Sequence, residues 1–222
     1  MELTVIDSAR FEAMRHAMVA SQLRTNAVSD PRVVAAMARV PREAFLPADV
    51  RAVAYRDTAV PLGRGRFLNV PIATGRLLTE AWLQPTDRVL LIGAAGGYTA
   101  AVLAEMVAHV VAVESDPALA AQAREALGGY ANVTLVEGPL EAGHDAGAPY
   151  DVLVIDGAVE HVPEALVAQV VAGGRAVAGI ADRGITRLTA GRKTGGGFGL
   201  LDFADVDCVS LPGFARPKTF TF

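Results

Sequence analysis

The stretch from Arg88 to Glu114 constrains the fold more than any other part of the sequence. It has the pattern of a short apolar strand, a glycine-rich turn, a helix and a second apolar strand. Small residues let the backbone of such a turn approach a ligand closely, and the helix that follows offers unpaired N–H groups. Two strands joined by a helix form a right-handed parallel unit that is covered on both faces. The sequence therefore predicts an α/β fold.

Strands and helices continue to alternate after this unit. Apolar runs at 133–136, 152–155 and 176–180 predict further strands. Between them, Asp116-Pro117 marks the start of one helix, and Pro163–Val171 is predicted as another. The last part of the chain has a different pattern. Residues 185–193 and 198–211 read as two strands around a glycine turn, with no helix between them. We therefore predict a mainly parallel sheet that ends in an antiparallel hairpin.

An N-terminal extension precedes the alternating pattern. Phe11, Met14 and Met18 have helical spacing, and Asp30-Pro31 is a helix start signal. Residues 41–75 contain several prolines and glycines and are predicted to be irregular, as functional segments often are. We divide the chain into a helical and lid extension (1–80) and an α/β core (81–222), packed as one compact unit.

Composition argues against several functional classes. The chain has 222 residues, is 52% hydrophobic and carries a net charge of −4, unlike the basic proteins that bind nucleic acids. Its one cysteine, Cys208, argues against a disulfide or a cysteine metal cluster. The sequence also lacks the apolar runs of a signal peptide or a membrane span. We expect no metal, no nucleic acid, no membrane and a cytoplasmic location.

Glu114 makes an adenosyl compound the best match for the glycine turn. It ends the second strand, 21 residues after Gly93, where a carboxylate can accept both ribose hydroxyl protons. A nicotinamide dinucleotide is the competing ligand, although its Gly-x-Gly-x-x-Gly fingerprint is absent. A purely structural role for Glu114 at the surface is the other alternative. A P-loop is excluded because no Gly-Lys-Ser/Thr follows the turn.

Segments spread over residues 10–180 resemble the protein-L-isoaspartate O-methyltransferase family. They include Met18-x-x-x-Gln22-Leu23, Asp30-Pro-Arg-Val33, Val40-Pro-Arg-Glu-Ala-Phe-Leu-Pro47, Ala54-Tyr-Arg-Asp57, Pro61-Leu-Gly-Arg-Gly65, Arg88–Leu103, Ala148-Pro-Tyr-Asp151 and Leu166-x-x-Gln169. The resemblance implies a Rossmann-like methyltransferase fold and S-adenosyl-L-methionine as the cofactor. It also implies a protein or peptide carboxylate as the methyl acceptor.

The resemblance further implies which residues form the site. The residues expected to bind the cofactor are Gly93, Ala94, Gly96, Gly97, Tyr98, Glu114, Ser115, Pro139 and Leu140. Residues 65–71, called the lid below, are expected to cover the methyl group and the substrate. Arg66 and Phe67 of the lid are the candidates for substrate contact, and Arg66 could pair with a substrate carboxylate.

The lid and its surroundings depart from the family pattern. The family usually has a sequence close to Gly-Gln-Thr-Ile-Ser-Gln-Pro, whereas here the lid is Gly65-Arg-Phe-Leu-Asn-Val-Pro71. Asn69 stands where a serine is expected, and Asp156 stands where a small or hydroxyl residue is usual. We name both as candidate catalytic residues. The amide of Asn69 could donate to a substrate oxygen, and Asp156 could bind an amine or hydroxyl acceptor, act as a base, or only cap local backbone.

Three functions stay open at this point. They are a methyltransferase of the isoaspartyl type, a methyltransferase with the same fold and another acceptor, and a binding or regulatory protein that no longer transfers methyl groups. Transfer to a carboxylate needs alignment and exclusion of water but no general base, because the carboxylate is already ionised at neutral pH. The oligomeric state cannot be predicted from these patterns.

Overall fold

The structure is a computed structural model that describes residues 5–216, and it contains the alternating strands and helices that the sequence predicts. The strands are β1 (Val60–Gly63), β2 (Arg66–Leu68), β3 (Arg88–Ile92), β4 (His109–Glu114), β5 (Val133–Glu137), β6 (Tyr150–Val159), β7 (Val170–Asp182), β8 (Ile185–Thr194) and β9 (Gly197–Ala204). The helices are α1 (Val5–Met18), α2 (Pro31–Arg39), α3 (Pro71–Glu80), α4 (Tyr98–Ala104), α5 (Pro117–Ala126) and α6 (Glu164–Ala168).

Within the described residues, seven strands form one sheet in the order β5-β4-β3-β6-β7-β8-β9. The pairs from β5 to β7 are parallel, and β8 and β9 add an antiparallel hairpin at the edge. This confirms the predicted fold class. Strands β4 and β5 lie on one side of β3, and β6 to β9 lie on the other, so the strand order reverses next to β3. Ligands of such sheets bind beyond the carboxyl ends of the strands at this point.

The central strands of the sheet are buried on both faces. Successive side chains of a strand point to opposite faces, so Val89 and Leu91 of β3 belong to one apolar cluster while Leu90 and Ile92 belong to another. The first cluster also contains Phe11 from the N-terminal helices. The apolar runs of the central strands therefore reflect burial under two layers, as expected for a parallel sheet.

The N-terminal extension forms the helices that its spacing predicts. Phe11 and Met18 are buried, and α1 continues into a π-helical turn over Val19–Leu23. Asp30 caps α2 by accepting a hydrogen bond from the backbone N–H of Arg32 over 2.8 Å. The predicted boundary at residue 80 coincides with the end of α3. Residues on both sides of it share one apolar cluster, and the division into two segments stays a prediction.

Three local predictions were wrong. Residues 41–75 are not irregular throughout, because they include the antiparallel hairpin β1–β2 and the start of α3, where Pro71 occupies the first helical position. Helix α6 ends at Ala168 rather than Val171, since Val170 already pairs in β7. Residues 205–211 do not extend β9. They form the beginning of a C-terminal segment, residues 205–216, that turns back across the sheet.

The carboxyl ends of β3, β4 and β6 meet at one edge, and two segments cover this edge. The β1–β2 hairpin carries the lid toward the end of β4. The C-terminal segment joins β6, because the N–H of Ala158 donates to the carbonyl of Val209 over 2.7 Å and the N–H of Leu211 donates back to Ala158 over 2.9 Å. The predicted site residues therefore lie under two non-contiguous pieces of chain.

Candidate active site

The glycine turn after β3 is wound tightly against the end of β4. The N–H groups of Gly93 and Ala94 both donate to the carbonyl of Val113, over 3.1 and 3.0 Å. Gly93 and Gly97 have φ values of 84° and 100°, a region that favours glycine, and α4 starts at the next residue. The turn is thus held in a fixed position relative to both strands.

Gly96 lies where the N-terminal extension crosses the turn. A Cβ atom at this position would be 2.3 Å from the carbonyl oxygen of Phe45. The absence of a side chain therefore lets the backbone of the extension pass directly over the turn. This close approach within the protein explains why a residue larger than glycine does not fit here.

Glu114 lies at the end of β4 and its side chain is fully buried, with 0% exposure. Its carboxylate accepts hydrogen bonds from three backbone N–H groups, those of Ala95 (2.7 Å), Ser115 (2.8 Å) and Asp116 (2.8 Å). The glycine turn and the start of α5 together orient this carboxylate. The structure therefore excludes the alternative of Glu114 as a surface residue.

Arg66 of the lid forms an ion pair with Glu114. Its Nη1 lies 2.5 Å from Oε1 and its Nη2 lies 3.0 Å from Oε2, which is the parallel two-bond geometry of an arginine–carboxylate pair. Only 8% of the Arg66 side chain is exposed. The sequence analysis suggested that Arg66 pairs with a substrate carboxylate, whereas in the structure Arg66 pairs with Glu114.

Asn69 is buried at the base of the lid, and its amide bonds within the protein. Its Nδ2 donates to Oδ1 of Asp156 over 3.0 Å. Its Oδ1 accepts from the N–H groups of Val70 (3.1 Å) and Val209 (3.3 Å). The side chain therefore joins the lid to β6 and to the C-terminal segment.

Asp156 collects donors from three parts of the chain. Besides Asn69, it accepts from the hydroxyl of Thr74 on α3 over 2.9 Å and from the hydroxyl of Thr99 on α4 over 2.5 Å. It lies in the part of β6 where the register with β7 shifts, between Val154 and Ala158. Asp156 is buried, so the alternative of a local backbone cap is not what the structure shows.

Arg42 belongs to the same buried cluster, and the sequence interpretation did not single it out. Its Nη2 donates to the backbone carbonyl of Asn69 over 2.5 Å, and its Nε donates to the carbonyl of Ala54 over 2.8 Å. Its guanidinium lies 4.8 Å from the ring centroid of Tyr98. Burial lowers the pKa of Arg42 and raises the pKa of Tyr98 to about 12. Arg42 could have been identified from the sequence, because it lies in Val40-Pro-Arg-Glu-Ala-Phe-Leu-Pro47, one of the segments that resemble the family.

The remaining predicted residues lie around this cluster. Ser115 Oγ is 3.4 Å from Nη1 of Arg66. The segment before Pro139 and Leu140 is tied to the end of β4, because the N–H of Gly138 donates to the carbonyl of Glu114 over 3.0 Å. Pro139 is exposed and Leu140 is buried.

A groove of about 660 Å³ opens between the lid and the C-terminal segment. Its residues include Gly65, Phe67, Val70, Ile72, Asp57, Thr58, Val206, Asp207, Cys208 and Val209. Phe67 is 42% exposed and points into it. Burial raises the pKa of the Cys208 thiol to about 12, so the thiol stays protonated at neutral pH and is not a nucleophile.

Between residues 5 and 216, no group of three or more His, Cys, Asp or Glu side chains could hold a metal ion. Over the same residues, no helix is long and apolar enough to cross a membrane.

The geometry and the sequence both match a known family. A family model described as protein-L-isoaspartate(D-aspartate) O-methyltransferase matches residues 14–211. The chain belongs to this family. Protein-L-isoaspartate O-methyltransferase 1 of Rhodopseudomonas palustris is 40% identical over 191 residues, which cover 85% of this chain and 78% of the relative. The enzyme of Herpetosiphon aurantiacus is 37% identical over 205 residues, which cover 91% and 92% of the two chains.

Solved structures support the fold of this family member. A protein-L-isoaspartate O-methyltransferase superposes with a TM-score of 0.79 at 24% identity, covering 90% of this chain and 66% of that one. A Plasmodium falciparum protein described as a putative member, in complex with S-adenosyl-L-homocysteine, gives 0.74 at 19% identity, covering 89% and 97%. At these identities the likeness concerns the fold alone.

Proposed function

We propose that this protein is an S-adenosyl-L-methionine-dependent methyltransferase that esterifies isoaspartyl carboxylates in proteins or peptides. The observation that carries the proposal is the family match over residues 14–211, which includes the turn, Glu114, the lid and the groove. The partner is then a protein or peptide chain. A cytoplasmic location is part of the proposal and is supported by the single cysteine, a composition that suits a reducing compartment.

The residues at the sheet edge fit an adenosyl cofactor. Glu114 is a buried carboxylate oriented by three backbone N–H groups, and it lies where the ribose of such a ligand is expected in this fold. The cofactor set is Gly93, Ala94, Gly96, Gly97, Tyr98, Glu114, Ser115, Pro139 and Leu140. When bound, S-adenosyl-L-methionine supplies a methyl group on a positively charged sulfur atom.

The residues of the chain must align the acceptor carboxylate with the methyl group and exclude water from the site. The attacking carboxylate is ionised at neutral pH, so no residue needs to remove a proton from it. The apolar side chains of the groove, among them Phe67 and Val70, keep water away from the acceptor. The lid lines the groove with Phe67 and Val70 and contacts Glu114 through Arg66, so it borders both the acceptor groove and the cofactor unit.

Asn69 and Asp156 act in this proposal by positioning the lid. Their side chains bond to one another and to Thr74, Thr99 and Val209, so neither has a free group directed into the groove. The proposed roles of general base for Asp156 and of direct donor for Asn69 are therefore less well supported than a positioning role. Arg42 belongs to the same group, because it holds the backbone of Asn69.

A second candidate function is methyl transfer to a different acceptor. The observation that favours it is the buried Asn69–Asp156 pair, which stands where the family usually has a serine and a small or hydroxyl residue. A carboxylate at this place repels an anionic acceptor and attracts an amine or a hydroxyl group. The lid would then have the same architecture and a different specificity.

An assay with a labelled methyl group separates the candidates. The protein is incubated with labelled S-adenosyl-L-methionine and a peptide that contains isoaspartate, and a matched peptide with ordinary aspartate serves as the control. We expect base-labile methyl esters on the first peptide only. Binding of the cofactor without any ester, even at high protein concentration, would reject the isoaspartyl activity and favour another acceptor or a regulatory role.

A further inference from the structure

The carboxylate of Glu114 is saturated with hydrogen-bond donors from the protein itself. It accepts five bonds, three from backbone N–H groups and two from Arg66. A carboxylate has about four lone-pair positions. It therefore has no capacity for two further donors, and the two hydroxyl groups of a ribose cannot bind while Arg66 stays in place.

We propose that Arg66 occupies the acceptor positions of the ribose in the cofactor-free protein, so that the cofactor must displace Arg66 in order to bind. The three backbone donors belong to the fixed turn and to the start of α5, whereas Arg66 is a side chain of the lid. Two hydroxyl groups replace two N–H groups, and the number of bonds to Glu114 stays at five. This inference rests on the proposed function, because it requires an adenosyl ligand.

The position of Arg66 on β2 links its displacement to the groove. Side chains alternate along a strand, so Arg66 and Leu68 point inward while Phe67, between them, points outward. Phe67 lines the groove. A movement of β2 that takes Arg66 off Glu114 therefore also moves Phe67.

The surroundings of Arg66 permit this exchange. The turn that carries it, Gly63–Gly65, has left-handed backbone at all three residues, and a Cβ at either glycine would meet nothing within 4 Å. Asp116 lies close by, since Arg64 reaches its carboxylate over 3.9 Å. A cavity of about 480 Å³ lies beside Arg66 and has Asp116 in its lining, so a displaced Arg66 has room to move and an anionic group beside it.

Calorimetric titration with S-adenosyl-L-homocysteine tests the proposal. The proteins are the wild type, Arg66→Gln, and Arg64→Gln as a matched control at an exposed neighbour. We expect Arg66→Gln to bind about tenfold more tightly than the wild type, a change that corresponds to about 1.4 kcal/mol. Arg64→Gln should bind as the wild type does. Equal or weaker binding by a folded Arg66→Gln protein overturns the proposal.

Thermal unfolding provides a second readout that does not depend on absolute affinity. Because the ion pair stabilises only the cofactor-free form, the Tm of free Arg66→Gln should be lower than that of the wild type, and saturation with S-adenosyl-L-homocysteine should reduce this difference. If Arg66→Gln does not fold, Arg66→Lys, which keeps the charge but loses the two-bond geometry, takes its place. A Tm difference that persists unchanged at saturation overturns the proposal.

The outcomes also separate this proposal from the proposed function. If the wild type and Arg66→Gln bind S-adenosyl-L-homocysteine equally well, Arg66 does not compete with the ribose, and the methyltransferase assignment is unaffected. If neither binds, the adenosyl site itself is rejected, and the competition proposed for Arg66 falls with it.

Discussion

The side-chain amide of Asn69 donates to the carboxylate of Asp156 over 3.0 Å, and both residues are buried. These are two positions at which the sequence analysis expects the chain to differ from the family pattern on the acceptor side of the site. Because the two side chains bond to each other, the departures form one structural feature. Thr74 and Thr99 complete it by donating to the same carboxylate.

This relationship predicts that the two positions are energetically coupled. We expect Asn69→Ser and Asp156→Thr each to destabilise the protein, and the double variant to differ from the sum of the two by about 0.5–3 kcal/mol. Urea unfolding of the four proteins measures the coupling. A control cycle combines Asn69→Ser with Asp205→Thr, since Asp205 is exposed. Additive effects in the first cycle would contradict a shared network.

Asp156→Ala, which leaves no side-chain acceptor at this position, should be more damaging than either of these changes. In Asp156→Ala the three side-chain donors lose their common acceptor inside the protein, and buried unsatisfied groups cost about 1–3 kcal/mol each. We expect a loss of at least about 3 kcal/mol in the free energy of unfolding, measured in urea. Asp205→Ala should change it by less than about 0.5 kcal/mol. Similar values for the two variants would show that Asp156 contributes no more to stability than an exposed aspartate does.

Gly96 should not tolerate a methyl group. The Cβ of Gly96→Ala would lie 2.3 Å from the carbonyl oxygen of Phe45, so the turn or the N-terminal extension must shift. We expect a destabilisation of about 1–3 kcal/mol. Gly129→Ala is the matched control, because a Cβ there meets nothing within 4 Å. Equal thermal stability of the two variants would argue against this close approach.

Glu114→Gln should weaken the binding of S-adenosyl-L-homocysteine at least tenfold. A glutamine side chain has one acceptor oxygen where glutamate has two, so it cannot receive both ribose hydroxyl groups. Calorimetry measures the difference. Glu137→Gln is a suitable control, because Glu137 pairs with Glu114 across β4 and β5 and its side chain is exposed. Unchanged affinity in Glu114→Gln would reject the ribose assignment.

Ionisation of Tyr98 should lower the stability of the folded protein at high pH. Burial raises its pKa from 10.0 to about 12, so the unfolded chain releases this proton at lower pH than the folded protein. The free energy of unfolding should therefore fall as the pH rises from about 10 to about 12, by up to about 1.4 kcal/mol per pH unit. Below pH 10 the contribution of Tyr98 is constant.

Tyr98→Phe isolates this effect. Among the described residues the hydroxyl of Tyr98 has no hydrogen-bond partner, so its removal should change the free energy of unfolding by less than about 1 kcal/mol at pH 7. At pH 11 the variant should be more stable than the wild type. Urea unfolding at pH 7, 9 and 11 provides the comparison, and parallel pH profiles of the two proteins would refute the assignment.

Local patterns in the sequence were sufficient for the fold and for the cofactor unit. The apolar strand before Gly93, the cap at Asp116 and the acid at the end of β4 are each signalled by neighbouring residues, and the structure has them in the predicted elements. Burial of both faces of the sheet explains why the short apolar runs were reliable.

The internal partners of the site could not be predicted in the same way. Arg66 and Glu114 are 48 residues apart, and Asn69 and Asp156 are 87 residues apart. Nothing near Arg66 distinguishes a cation that binds a substrate from one that binds the protein's own carboxylate. Which donors meet which acceptors depends on how the lid and the C-terminal segment fold back over the sheet, and this follows from tertiary packing.

The double attachment of Asn69 has a consequence for the shape of an acceptor. One side of the groove is the lid and the other is the C-terminal segment. Asn69 attaches the lid to the C-terminal segment through the N–H of Val209, and to β6 through Asp156. The spacing between the two walls is therefore fixed near the base of the lid. A loose stretch of polypeptide can conform to a slot of fixed width, whereas a residue embedded in a rigid surface cannot enter it. If the acceptor binds in this groove, as proposed above, we expect selection by freedom of movement as well as by chemistry.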